Sequence, residues 1–226
     1  MTDAQPSVGE VTLHHAEEMR GALHEEFGER VPRDVIDDMM SDSLERLAGN
    51  AAVEDFLPVL AYRFARERLM SLSRPEERLE GSWDVVFVSL SGGGRGQLAA
   101  SLTTALSGGA VTVHAAGSDA GQSVDPEVAQ ALEEVGIDVS ESYARPVSRE
   151  VLQGADVIVT MGRSVGPFEL PEGVRRLDWR LGDPLGAELE EVRRVRDDVE
   201  RRVRALLEEL GCPISEPGER QRAGSS

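Results

Sequence analysis

Arg95 closes the glycine cluster Gly92-Gly93-Gly94 and opens a helical pattern, and this is where the chain's residue types most clearly suggest chemistry. Upstream lies an unbroken apolar run, Val85-Val86-Phe87-Val88, then Ser89-Leu90-Ser91. Downstream, Gly96 and Gln97 lead into Leu98, Leu102, Ala105 and Leu106 at helical spacing, stopped by Gly108-Gly109. Strand, glycine loop and helix form an anion-binding arrangement. Backbone N–H groups turn inward, and the helix N-terminus adds partial positive charge. The Arg95 guanidinium offers a planar fork of donors for a tetrahedral oxyanion. The candidate anion-binding set is therefore Leu90, Ser91, Gly92, Gly93, Gly94, Arg95 and Gly96. The bland reading of the same stretch is a tight strand-to-helix connection with an empty loop.

Other elements must hold this loop in place. The run beginning at Val85 reads as a buried parallel strand. Further short strands are expected at 110–115, 155–161 and, more weakly, 173–179, with Ile137-Asp138-Val139 a brief extended piece. Helices are expected after Asp125-Pro126-Glu127, where Asp125 caps and Pro126 takes the first helical position, and at Ser148–Leu152. The last helix is the strongest periodic signal. Leu189, Val192, Val195, Val199, Val203, Leu206 and Leu210 form its buried face. Glu190–Arg194, Asp197–Arg201, Asp198–Arg202 and Glu200–Arg204 are expected as i,i+4 pairs on its wet face. Strands alternating with helices predict an α/β unit with a central parallel four-stranded sheet and helices on both faces.

Residues 10–73 are different, being helical throughout. Leu13, Ala16, Met19, Leu23 and Phe27 make one stripe. Val35, Ile36, Met39, Met40, Leu44 and Leu47 make a second. Leu57, Leu60, Ala61, Phe64, Leu69 and Leu72 make a third. This predicts an all-α three-helix bundle. A core of about 60 residues is marginal alone, so a two-fold partner is expected on it. The expected organisation is a disordered tail at 1–9, the bundle at 10–73, a linker at 74–82, the α/β domain at 83–212 and a second tail at 213–226.

The 226 residues carry a net charge of −18, and every side-chain cation except four histidines is arginine. Long-range repulsion argues against nucleic acid and anionic membranes as partners. No apolar run approaches the roughly 20 residues of a membrane span, and no secretory pattern opens the chain, so the expected location is cytoplasmic. One cysteine, Cys212, excludes a disulfide framework. His14, His15 and His24 do not gather on one helix face, so no metal and no cofactor is expected.

The stretch from Ser89 to Gly96 resembles the phosphate loop of low-molecular-weight protein tyrosine phosphatases and the arsenate reductases built on the same fold. That loop is a cysteine, five residues and an arginine, usually followed by serine or threonine. Here Arg95 matches the arginine, Ser89 stands at the cysteine position and Gly96 at the hydroxyl position. The family's general acid is an aspartate in an Asp-Pro pair, and Asp183-Pro184 precedes the last helix here. Residues 83–211, with Ala115-Ala116-Gly117-Ser118 and Asp178-Trp179, are similar to actinobacterial arsenate reductases, some of which carry an N-terminal three-helix dimerisation domain.

The resemblance implies Ser89, as a degenerate nucleophile position, with Arg95 and Asp183 as the catalytic set, and a phosphate-, arsenate- or sulfate-like oxyanion as partner. A hydroxyl is far harder to ionise than a thiol, whose reference pKa is about 8.5. Activating Ser89 needs a base, and the nearest candidate in sequence is His114. Three readings stand. The chain is a catalytically degenerate dimer that keeps an oxyanion pocket, acting as a binding or regulatory protein. Alternatively it is an active phosphatase or arsenate reductase with another nucleophile, or a structural interaction protein with an empty loop.

Overall fold

Seven consecutive residues, Trp83–Ser89, form the central strand β1, and all but Trp83 are buried. The structure is a computed structural model that describes residues 8–48, 56–73, 81–89, 94–117, 124–139, 142, 145–162 and 170–215. The chain divides into two compact units, residues 1–75 and 76–226.

In the second unit, β1 pairs in parallel with β2 (Val111–Gly117) on one side and β4 (Val157–Met161) on the other. β5 (Arg175–Asp178) and β3 (Arg145–Pro146) form the two edges, giving the order β3-β2-β1-β4-β5. The sheet thus has the four expected strands and a fifth, two-residue edge. Ile137-Asp138-Val139 joins no strand; its two apolar side chains are buried in the core beside the helices instead. The edge pairing falls on Arg145-Pro146, outside the strands expected from the sequence. Proline has no N–H for a further ladder, which suits an edge.

Alternation along β1 sorts the core into two layers. Val85 and Phe87 pack with α4 (Arg95–Leu106), α5 (Pro126–Glu133) and α7 (Leu189–Glu209). Val86 and Val88 face the other way, onto Val151 and Leu152 of α6 (Arg149–Gly154). The caps are local. Asp125 accepts from the N–H groups of Glu127 and Val128, and Ser148 Oγ accepts from Val151. α7 ends where Gly211 takes φ +69°, with Gly211 N–H donating to Glu208 O and Cys212 N–H to Leu207 O. On its wet face two expected pairs form, Asp198–Arg202 and Glu200–Arg204. Glu190 instead takes Arg193, Arg194 takes Glu191 and Arg201 takes Asp198, all three residues apart, while Asp197 takes the adjacent Arg196. The spacings i+3 and i+4 are near-equivalent neighbours on a helix, so local rotamers decide between them.

The first unit consists of α1 (Val8–Phe27), α2 (Arg33–Ala48) and α3 (Leu57–Leu72). Leu23, Phe27, Ile36, Met40, Leu47, Phe64 and Leu69 are buried within it. Leu72, expected on the buried stripe, is 50% exposed because it ends its helix. Arg68 lies buried over the Phe64 ring and donates to Asp42 at 2.6 Å. Among the described residues no helix is long and apolar enough to cross a membrane.

Candidate functional site

Ser89 ends β1, and its register partners are Gly117 on β2 and Met161 on β4. The site therefore lies at the carboxyl end of the parallel strands, the usual ligand crevice of such sheets. Leu90, Ser91, Gly92 and Gly93 lie outside the described residues. Gly94, Arg95 and Gly96 are described, and all three are buried.

Gly94 occupies the N-cap of α4, where it has no side chain with which to satisfy the first helical N–H groups, and the first turn holds no acidic residue. Gly96 sits against Ser89: a Cβ at position 96 would lie 3.0 Å from Ser89 Oγ. The seryl oxygen thus borders the helix start, on the face of the sheet that carries α4.

Arg95 is 8% exposed. Its NH2 lies 3.6 Å from Asp183 Oδ2, an ion-pair distance beyond hydrogen-bond length. Among the described residues its buried Nε has no hydrogen-bond partner. Beneath the guanidinium runs the backbone of Gly162, where a Cβ would be 3.3 Å from both terminal nitrogens and where φ is +110°. Sequence reasoning did not single out Gly162. A glycine directly after a buried parallel strand is a signal of close approach, and it was there to be read.

Asp183 comes from a distant segment that Trp179 pins down. Trp179 is 7% exposed, its ring centroid is 5.6 Å from that of Phe87, and its N–H donates to Thr160 O. Gly182 then passes α7 so closely that a Cβ would lie 3.3 Å from Val195 Cγ2. Leu185 N–H donates to Asp183 Oδ1 at 3.3 Å, closing a local turn. Pro184 and Leu185 roof Gly94, where a Cβ would meet Pro184 Cγ at 3.1 Å. Arg95 and Asp183, 88 positions apart in the chain, are thereby brought together.

His114 does not join them. It pairs in register with Val86, three residues from Ser89, which is about 10 Å along a strand. It also lies on the opposite face of the sheet, where its Nε2 is 3.5 Å from Asp84 Oδ1 with both residues buried. His114 is no base for Ser89. Cys212 is equally remote. Ser215 N–H donates to Leu106 O at the far end of α4, a helix about 18 Å long that starts at Arg95. Burial pushes the Cys212 thiol up from its ordinary value, away from thiolate reactivity. Among the described residues no three His, Cys, Asp or Glu side chains converge as a metal site would require.

A parallel sheet with a glycine-flanked arginine at the end of its central strand, and an aspartate returning from the last loop, defines a phosphatase-like α/β domain. Residues 84–166 match the family model for low molecular weight phosphotyrosine protein phosphatase, and residues 16–73 match that for a protein-tyrosine-phosphatase-like N-terminal domain. A putative arsenate reductase of Halobacterium salinarum is 39% identical over 100 residues, covering 44% of this chain and 70% of that protein. The arsenate reductase of Brevibacillus brevis is 33% identical over 133 residues, 58% of this chain and 98% of that protein. Among solved structures, the thioredoxin-dependent arsenate reductase of Corynebacterium glutamicum superposes with a TM-score of 0.76 at 26% identity, covering 88% of this chain and 97% of that one. The chain belongs to the low-molecular-weight phosphatase and arsenate reductase family, with a helical N-terminal domain of the kind found in that reductase.

Proposed function

We propose that the chain binds a tetrahedral oxyanion of the phosphate, arsenate or sulfate class at the end of β1 and does not turn it over. Arg95 carries the reading. It is a buried guanidinium with an unpartnered Nε and one carboxylate at ion-pair distance among the described residues. A buried cation so poorly satisfied is costly unless a ligand completes it. Gly94, Gly96 and the loop residues 90–93 are assigned the remaining contacts, through backbone N–H groups and the start of α4.

The loss of turnover follows from Ser89. A seryl hydroxyl is far harder to ionise than a thiol, and so is a much weaker nucleophile at this position. Reducing arsenate takes two electrons, which a pair of thiols would supply, and Cys212 is the chain's single thiol. We assign Asp183 the family's general-acid position, left without a reaction to serve. The protein then acts as a cytoplasmic binding or regulatory homodimer. Pairing through the N-terminal helices is supported by Phe56, Val59, Met70 and Leu72, large apolar residues on or beside α3 that are 61%, 39%, 46% and 50% exposed. Light scattering on a Val59→Glu/Met70→Glu variant tests this, and a dimer that survives both charges removes α3 from the interface.

Calorimetry with phosphate, arsenate and sulfate tests the anion site, with heat at millimolar anion expected and its absence leaving the empty loop. Turnover of p-nitrophenyl phosphate, or arsenate-dependent thiol consumption, by the unaltered protein establishes the second reading, which the named activity of the relatives favours. Ser89→Cys is expected to gain phosphatase activity, because Arg95 and Asp183 already face each other beside position 89.

A further inference from the structure

The contact between Asp183 and Arg95 has a consequence for any ligand of this loop. The two groups differ sharply in freedom: the Arg95 side chain is 10% exposed and that of Asp183 is 55% exposed. Arg95 is confined on one side, because a Cβ built on Gly162 would stand 3.3 Å from both of its terminal nitrogens. Asp183 can move. Among the described residues its Oδ1 is held by the local turn to Leu185 N–H alone, and the turn is bounded by Gly182 and by Gly186 at φ +65°.

We propose that Asp183 is a built-in competitor, a tethered carboxylate that occupies Arg95 when the site is empty and must swing away for an oxyanion to enter. The proposal rests on the oxyanion-binding reading above and names the regulation of that site. A carboxylate presents to a guanidinium the same charge and oxygen geometry as one edge of a phosphate or sulfate. The contact is weak in form, at 3.6 Å and through one nitrogen, so a ligand offering two oxygens in the guanidinium plane displaces it. Until displaced, its charge repels the incoming anion at close range. The site therefore discriminates against anions too dilute or too weakly charged to pay this displacement. The same loop movement opens the roof that Pro184 and Leu185 form over Gly94.

Sulfate is the probe, because neither hydrolysis nor reduction complicates it. Isothermal titration at constant ionic strength compares the full-length wild type with Asp183→Asn, Asp183→Ala, Asp178→Asn and Arg95→Ala. Asp183→Asn and Asp183→Ala are expected to bind sulfate about tenfold more tightly than wild type. The alanine variant excludes a new hydrogen bond from the asparagine amide. Asp178→Asn removes one charge at the end of β5, nearby but paired with Arg180, and should change affinity less than twofold. Arg95→Ala should bind about 100-fold more weakly than wild type. Equal affinity in wild type and both Asp183 variants overturns the competitor while leaving the oxyanion site standing. Equal tightening by Asp178→Asn reduces the effect to long-range repulsion and also overturns it. Failure of wild type and Asp183 variants alike to bind, with melting temperatures unchanged, removes the oxyanion reading itself.

Discussion

Asp84 lies 3.5 Å from His114 and Asp183 lies 3.6 Å from Arg95, yet the two pairs at opposite ends of the sheet are built differently. Asp84 and His114 are both buried, and Asp84 is tied by its backbone to Asp156, whose Oδ2 accepts from Asp84 N–H and whose own N–H donates to Asp84 O. Each is enclosed by β1, β2 and the layer under α6. The Arg95–Asp183 pair is half open. Its cation is buried, its carboxylate faces water, and three of its neighbouring positions, Gly94, Gly96 and Gly162, have no side chains. A pair closed on both sides holds strands together. A pair open on one side leaves a donor surface that something else can take.

Breaking the closed pair should have the largest effect. Asp84→Ala is expected to cost about 3 kcal/mol of stability, the upper end of what removing a buried polar partner costs, and to leave sulfate affinity unchanged; chemical denaturation with parallel titration checks both. A fall in affinity there would erase the distinction between the two ends. At the open pair the pattern should invert. Arg95→Ala is expected to weaken anion binding about 100-fold, the worth of two charge-assisted hydrogen bonds, while the denaturation midpoint moves little. Gly162→Ala sharpens the contrast: a Cβ at φ +110° and 3.3 Å from the guanidinium should cost about 1–2 kcal/mol. It should also weaken sulfate binding several-fold by displacing Arg95.

The smallest effect belongs to a third carboxylate pair, on the bundle surface. The hydrogen bond from His24, 2.9 Å away, and then the charges of His24 and Arg20 hold Asp37 below its ordinary value of 3.8. The folded value is the lower one, so the stabilisation is fully present above the unfolded value. It is lost as pH falls through the folded one. With Asp37 41% exposed, water screens the pair, and a double-mutant cycle of His24→Ala and Asp37→Asn should read about 0.5 kcal/mol at pH 6 and nothing near pH 2. A larger coupling would show that exposure does not grade these pairs as the two ends of the sheet imply.

Local signals carried well into the structure. The cap at Asp125 and the Val-rich face of α7 each depend on residues within one or two turns, so their chemistry was on the page before any fold was. The edge strand at Arg145-Pro146 was not legible, because a two-residue ladder leaves no periodicity. Nor were the ion-pair choices on α7, where spacings of three and four residues compete at nearly equal energy.

The residue types alone determined that a glycine loop ends in Arg95 after a buried strand and that an Asp-Pro pair precedes the last helix, and the resemblance to the phosphatase loop marked the hydroxyl at position 89 as standing where that family has a thiol. Only the tertiary structure decided that Asp183 reaches Arg95, that Gly162 lies behind it, and that His114 sits across the sheet from Ser89. Strand and helix formation follow from side-chain pattern within a few residues. Which groups meet across the molecule is set by strand order and register, which depend on how the layers pack.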